Sequence, residues 1–494
     1  MKLPSEIYSV ESVRAIDRTA INDAGIGGYT LMTRAARAAV NEAQALFPDA
    51  RRWQVICGGG NNGGDGYTLA RLAAAHGIGV SVLTLVSPDS LQGDAATAFQ
   101  DFAAEGGMAT NYEGDLDPEA DLLVDALLGS GLERDVKGKF AGVVDAVNRH
   151  PAPVMALDIP SGLNADSGAV MGVAVKAVLT VTFVGLKTGL FLNDGPAFVG
   201  DLRFAGLDIP AECRASQQAV LRRMDDEAIK RLLPPRARNA HKGDFGHILI
   251  VGGGPGMSGA VRLCGEAALR TGAGLVSVAT HPSHHAIVAS GRPELMCHAV
   301  QTADDLAPLV ARASVIAIGP GLGRGEWSQT MFNAVMQSDL PDLPMVIDAD
   351  ALNILSESEV RKPDWILTPH PGEAARLLAR KTVDIQEDRR GSLKDLAEKY
   401  GGTPVLKGAG SLIAATGGPA WLCSAGNPGM AAPGMGDVLT GIVAALRAQG
   451  LSAEMAAVAG VEIHARAGDA AAASGQRGLM ASDLLQELRA CVNP

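Results

Sequence analysis

Short apolar runs that stop at glycine-rich turns and lead into helical periodicity recur along the whole chain, and this pattern limits the fold more than any other feature. Trp53–Cys57 ends in Gly58-Gly-Gly-Asn-Asn-Gly-Gly-Asp-Gly66, after which Thr68–His76 has helical spacing. His247–Val251 ends in a second turn carrying Gly254, Gly256 and Gly259. Continuous apolar strands alternating with helices imply parallel sheets buried on both faces, because each parallel pair needs a crossover that covers the sheet. Ligand loops then belong at the carboxyl ends of the strands. The 60 glycines fit that plan, since they cluster after apolar runs.

The runs form two series. Val80–Val86, Leu122–Ala126, Val154–Leu157 and Thr180–Val184 continue the first; Leu275–Thr280, Val315–Ile318, Val346–Ile347, Trp365–Leu367 and Pro404–Leu406 continue the second. Ahead of the first, Val13, Ile16, Ala20 and Ile21 mark one helix, and Met32, Ala35, Ala36, Ala39 and Ala43 another. Between the series the rhythm breaks. A charged helix is predicted over Val220–Leu233, followed by Pro234-Pro235 and the basic stretch Arg236–Lys242. With 494 residues the chain exceeds one ordinary core. A boundary near residues 214–222 gives two domains, 1–216 and 217–494. The Ala-rich run Ala453–Ala473 reads as a closely packed helix pair.

A net charge of −12 without a long basic run argues against nucleic acid as a partner. The opening residues MKLPSEIYSVES lack an apolar core, and no apolar run reaches the length of a membrane span. The expectation is a cytoplasmic enzyme without membrane attachment. The six cysteines are scattered, with no Cys-x-x-Cys pair, and read as reduced thiols. A homo-oligomer is expected.

Neither glycine turn makes a Rossmann-type redox site, which also needs an acidic residue closing the second strand. His281 stands there in the second series, and in the first Asp89 falls three residues past its strand. No GxxxxGK[ST] occurs. The first turn instead adds Asn61, Asn62 and Asp65 to its glycines, and later strand ends supply Asp125 and Asp158 with Ser161. Oxygen donors converging on one sheet edge suit a cation or a polar substrate. In the second series Gly434-Met-Gly-Asp437 places a carboxylate behind two glycines at a predicted helix start. That geometry admits an anion and puts a base beside it. His281, His284 and His285 read as polar loop. Pro371 keeps His370 and Glu373 from helical metal-ligand spacing.

Four motifs in order, Gly58–Gly66, Val124–Leu132, Leu157–Gly162 and Phe183–Lys187, resemble the epimerase domain of the NAD(P)H-hydrate repair enzymes. The resemblance covers roughly residues 5–214. It implies a Rossmann-like three-layer α/β domain in which Asn62, Asp125 and Ser161 hold a potassium ion. Asn61, Asn62, Gly63, Gly64 and Asp65, the run Gly129, Ser130, Gly131, Leu132, Glu133, Arg134 and Asp135, and Asp158 would line the hydrated nucleotide. Asp158 and Lys187 would serve the proton chemistry. The family's Leu-Met-Glu is Leu31-Met-Thr33 here.

The second half resembles the dehydratase partner, a ribokinase-like three-layer α/β domain. The likeness rests on Lys242–His247, Gly254–Ala260, Gly319–Gly323, Asp348–Asn353, Thr368–Glu373, Lys407–Ser411 and Gly426–Gly441. It implies that Lys407, Gly408, Ala409, Gly410, Ser411 and Gly436 contact ADP or ATP, with magnesium. Ala260, Gly323, His370 and Asp437 would face the hydrated dinucleotide, NADHX or NADPHX, with Asp437 as base. Many relatives have two hydroxyl residues in the last motif where Ala432-Pro-Gly-Met-Gly-Asp437 has none. A rival reading remains: a small-molecule kinase fused to a non-catalytic binding module.

Overall fold

The computed structural model describes residues 3–338, 340 and 342–494. The chain divides into two compact units, Met1–Arg222 and Arg223–Pro494. In the first, β1 (Glu6–Tyr8), β2 (Arg52–Cys57), β3 (Gly79–Thr84), β4 (Ala109–Asn111), β5 (Leu122–Ala126), β6 (Val154–Leu157), β7 (Leu179–Phe183), β8 (Leu186–Lys187), β9 (Asp201–Ala205) and β10 (Leu221–Arg222) follow in order. Seven of them form a parallel sheet in the order β4-β3-β2-β5-β6-β7-β9. Alternation along β2 sends Trp53, Val55 and Cys57 into one core and Ile56 into another. Helices Gly28–Leu46 and Asn61–Ala75 cover the first face, and Lys139–Arg149 covers the second.

The predicted helix Val220–Leu233 is corrected. Leu221 is buried and pairs with Ile7 of β1, so the segment opens as a strand, and helix starts only at Asp226, capped by Asp225. The same pairing keeps residues up to Arg222 in the first unit. Ile21 is 39 % exposed and leaves the apolar stripe of the first helix, Val10–Asn22.

The second unit carries β11 (His247–Val251), β12 (Leu275–Thr280), β13 (Met296–Ala299), β14 (Val315–Ile318), β15 (Met345–Ile347), β16 (Trp365–Leu367), β17 (Thr403–Leu406), β18 (Ser411–Ile413) and β19 (Ala420–Cys423). The order β13-β12-β11-β14-β15-β16-β17 is parallel throughout. β18 and β19 extend it antiparallel, so this sheet is mixed where a purely parallel one was expected. Four residues join β17 to β18, too few for a crossover helix, and a hairpin is the only connection they allow. One face packs on Ser258–Thr271, Met435–Ala448, Ala453–Ala471 and Ala481–Cys491. The alternate residues Leu249, Ile316 and Ile347 are buried as well. Ala453–Ala471 is one continuous helix, not a pair. Among the described residues, no helix is long and apolar enough to cross a membrane.

Candidate active sites

In the first unit the helix after β2 begins inside the glycine turn, at Asn61 instead of the expected Thr68. Tight packing explains why glycine is used where helix propensity argues against it. A Cβ on Gly58 would stand 1.9 Å from the Leu127 carbonyl oxygen, and one on Gly63 2.1 Å from that of Gly58. Asn62 and Asp65 therefore sit in the first turns of a helix that faces the ends of β5 and β6.

A cavity of about 360 Å³ opens at that edge. Of the predicted residues, Asn61, Asn62, Asp65, Gly129, Ser130, Asp158 and Lys187 line it. Lys187 is 1 % exposed and forms an ion pair with Asp158 Oδ1. It also donates to Thr182 Oγ1 at 3.0 Å and to the Phe183 carbonyl at 3.1 Å. Asp158, Val184 and Leu207 all line the cavity, with φ of 65°, 66° and 54°. Each such residue costs roughly 1–3 kcal/mol, a cost that the surrounding packing must offset to hold the strand-end turns at the site. Burial, then the charges of Asp158 and Asp17, hold the Asp65 carboxyl well above the usual range against the pull of Lys187.

Behind the cavity, Asp125 is fully buried. It accepts from Ser161 Oγ at 2.6 Å, Ser161 N at 2.8 Å and Leu127 N at 3.2 Å. Burial nonetheless pushes its pKa up to about 6, against those bonds. Both side-chain polar atoms of Asn62 are buried without a partner, and a Cβ on Gly129 would stand 3.3 Å from Asn62 Cβ.

Some predicted residues stay outside. Gly63 and Gly64 are buried in the helix and do not line the cavity. Gly131 lies beside Arg14. Beyond it Leu132, Glu133, Arg134 and Asp135 do not line the cavity either, and the last three are exposed because the chain turns outward there. Thr33 bonds back to the Tyr29 carbonyl at 2.8 Å and is absent from the lining. Sequence reasoning missed Arg14, Asp17 and Asp94, which do line it. For Asp17 a signal existed: it follows Val10 and Val13 on the buried stripe of its helix, where a carboxylate is out of place.

The second unit builds its site on Asp348, which ends β15. The chain does not continue as strand there. Asp348 stands at the N-cap position of helix Ala349–Leu355, with Ala349 at φ 47°, and Asp350 lies in the first turn of that helix. Asp348 accepts from Lys407 Nζ at 2.9 Å, Thr368 Oγ1 at 2.8 Å and Thr440 Oγ1 at 2.8 Å. Burial opposes its charge, but Lys407 and the three bonds outweigh it and pull its pKa down. For Lys407, burial is likewise outweighed by Asp348 and Glu373, and its pKa rises.

Around this pair the predicted residues converge. A Cβ on Gly436 would stand 3.4 Å from Lys407 Nζ and 3.5 Å from Asp348 Oδ2. Gly434, at φ 87°, starts helix Met435–Ala448, and no side chain caps it, leaving its first amides to an anion. Asp437 lies in that first turn. Burial, then Asp348, push its pKa up to about 7, with Lys407 opposing and Asp350 adding to the rise. Asp350 accepts from Gly323 N at 2.8 Å. The Ala260 methyl lies 2.9 Å from where a Gly321 Cβ would stand. His370 caps helix Pro371–Leu378, its Nδ1 accepting from Gly372 N and Glu373 N. Burial, then Lys407, lower its pKa. Gly408, Ala409 and Gly410 form the β17–β18 turn, closed by Ser411 Oγ donating to the Gly408 carbonyl at 3.0 Å. Among the described residues no cluster of three or more His, Cys, Asp or Glu could hold a metal. His281 packs edge-on against Trp327.

Comparison with known proteins agrees with both halves. The family model described as NAD(P)H-hydrate dehydratase matches residues 248–490, and that of the YjeF-related protein N-terminus matches residues 28–189. A ribokinase-like superfamily protein of Enterococcus faecalis aligns with a TM-score of 0.51 at 27 % identity, covering 56 % of this chain and 97 % of its own. A bifunctional NAD(P)H-hydrate repair enzyme of Coxiella burnetii is 47 % identical over 489 residues, 99 % of each chain. One of Escherichia coli K12 is 43 % identical over 100 % of this chain and 95 % of its own. The chain thus belongs to the family of bifunctional NAD(P)H-hydrate repair enzymes.

Proposed function

We propose that the chain repairs NADH and NADPH that have added water across the nicotinamide ring. The first unit interconverts the R and S hydrates, and the second dehydrates the S form with ADP or ATP. The observation that carries this is the pairing, on one chain, of two sites of different chemistry. One is the buried Lys187 paired with Asp158 at the wall of an open cavity. The other is a near-neutral carboxylate, Asp437, at an uncapped helix start.

In the first unit Asn62, Asp125 and Ser161 fit a potassium ion. An amide oxygen without a partner and a buried carboxylate without a cation beside it are both compensated by a hard monovalent ion. Bound there, such an ion would supply a fixed positive charge to balance Asp125. Inversion at C6 needs a bond at that carbon to break and re-form: Asp158 and Lys187 take the proton of the C6 hydroxyl as the N1–C6 bond opens to an aldehyde, and return it when nitrogen recloses on the other face.

In the second unit Asp437 removes the proton of the C6 hydroxyl as that oxygen attacks the terminal phosphorus of the magnesium–nucleotide. The new C6–O–P linkage forms while the bond to the nucleotide's leaving phosphate breaks. Phosphate then leaves C6 and a proton leaves C5, restoring the dihydropyridine. The turn Lys407–Ser411 and Gly436 hold the nucleotide, and the amides at the start of Met435–Ala448 stabilise the transferring group. Ala260, Gly323 and His370 face the dinucleotide. Recovery of NADH from a mixed R and S hydrate, with ADP and ATP supplied separately, tests the proposal. Phosphorylated dinucleotide accumulating without NADH would favour a kinase instead.

A further inference from the structure

Besides Ser411, which closes it, the turn between β17 and β18 is held by one buried cation. The Arg389 guanidinium, 3 % exposed, donates through Nη2 to the carbonyls of Leu406 at 3.3 Å, Lys407 at 3.4 Å and Gly410 at 3.2 Å. Nη1 donates to Gln386 Oε1 at 2.8 Å, and Nε is buried without a partner. Among the described residues no carboxylate pairs with it. Burial alone moves its pKa, down to about 10, so it stays a cation at neutral pH.

A buried, acid-free cation is costly, and structures keep one only where something compensates it. Carbonyl dipoles supply part of that compensation. The other face of the turn points to the remainder. Gly408 and Gly410 have φ of 142° and 68°, and the amides of Ala409 and Gly410 make no hydrogen bond among the described residues. Neighbouring free amides beside a left-handed glycine form a concavity suited to an anion. Carbonyls are drawn onto the guanidinium, and donors are left for a ligand.

We propose that Arg389 is the positioning residue of the nucleotide site: it holds the Lys407–Ser411 turn open to an anion and places permanent positive charge behind the phosphates of a nucleoside diphosphate. This rests on the reading of that turn as the nucleotide-binding segment, which the test must separate from the role of Arg389.

Full-length wild type, Arg389→Met, Arg389→Lys and Ala409→Pro are titrated with magnesium–ADP by calorimetry without hydrate. Arg389→Met is expected to raise Kd at least tenfold, and KM for ADP in parallel. Its kcat at saturating ADP should stay within about threefold, because Asp437 and its helix start lie on other elements. R-to-S epimerisation should not change. Arg389→Lys, which keeps the charge and loses the planar fork, should fall between. A Kd for Arg389→Met within twofold of wild type overturns the proposal, as does a fall in kcat with Kd unchanged. If Arg389→Met does not fold, Arg389→Lys decides: a Kd raised at least threefold supports the proposal and an unchanged Kd overturns it. Should Ala409→Pro also leave Kd unchanged, the turn is not the nucleotide site and the underlying reading fails. If Ala409→Pro weakens ADP binding while Arg389→Met does not, only the role of Arg389 fails.

Discussion

Asp437 gives the dehydratase half a pH dependence that follows from the structure. A carboxylate acting as base must be ionised, and burial together with Asp348 holds this one at about 7. Activity should therefore fall as pH drops through neutrality. The ionised fraction is roughly one tenth a unit below that value and nine tenths a unit above, so kcat/KM for the S hydrate should rise about tenfold between pH 6 and 8. Asp350→Asn removes one of the charges that raise Asp437 and can still accept from Gly323 N. Its profile should keep the same shape with the midpoint at lower pH. Asp437→Asn should abolish the limb and lose on the order of 10²–10⁴-fold in rate. The assay is the initial rate of NADH absorbance recovery from pure S hydrate at saturating ADP, across pH 5.5–8.5. A flat profile, or an Asp437→Asn enzyme within a few-fold of wild type, would show that Asp437 is not the base.

Asp125→Ala should impair R-to-S interconversion while leaving dehydration of the S form unchanged, and exchanging potassium for choline in wild type should do the same; scanning calorimetry should also show the first unit stabilised by potassium but not by choline. The raised carboxyl of Asp437 binds its proton more tightly folded than unfolded, so its contribution favours folding at low pH and is lost as pH rises to about 7. Asp437→Asn should accordingly melt a few degrees higher at pH 8, a gain on the order of 1–4 kcal/mol that shrinks toward zero near pH 4. A Tm unchanged at pH 8 would mean that Asp437 is not held ionised against its environment. Residues 1–222 and 223–494, expressed separately, should each keep their own activity, whereas ending the first piece at 216 should destabilise it, because Leu221 and its pairing with Ile7 are lost; equal melting of the two first-unit pieces would contradict this.

The central strands of both sheets were legible because burial on both faces makes them continuous apolar runs. Edge elements were not. Leu221–Arg222 is a strand only because Ile7, more than two hundred residues earlier, offers a partner. The helix start at Asn61 is hidden by glycines that packing demands and propensity disfavours. In the sites, residues on strand-end motifs could be named, since a motif marks them locally. Asp158 and Lys187 were found and prove to be paired. The Asp348–Lys407 pair spans 59 positions, and no local pattern ties those two residues together. Glu133, Arg134 and Asp135 share a loop with Gly129 and Ser130, but spacing cannot say where that loop turns away from the cavity.

The most direct test of two activities acting in sequence is a time course of NADH recovery from a known R and S hydrate mixture with magnesium–ADP and potassium. Wild type should convert both epimers to NADH faster than they interconvert unaided. Asp158→Asn should stop at the fraction that began as S, and Asp437→Asn should yield none while still equilibrating R and S. Wild-type recovery that plateaus at the initial S fraction would contradict the account.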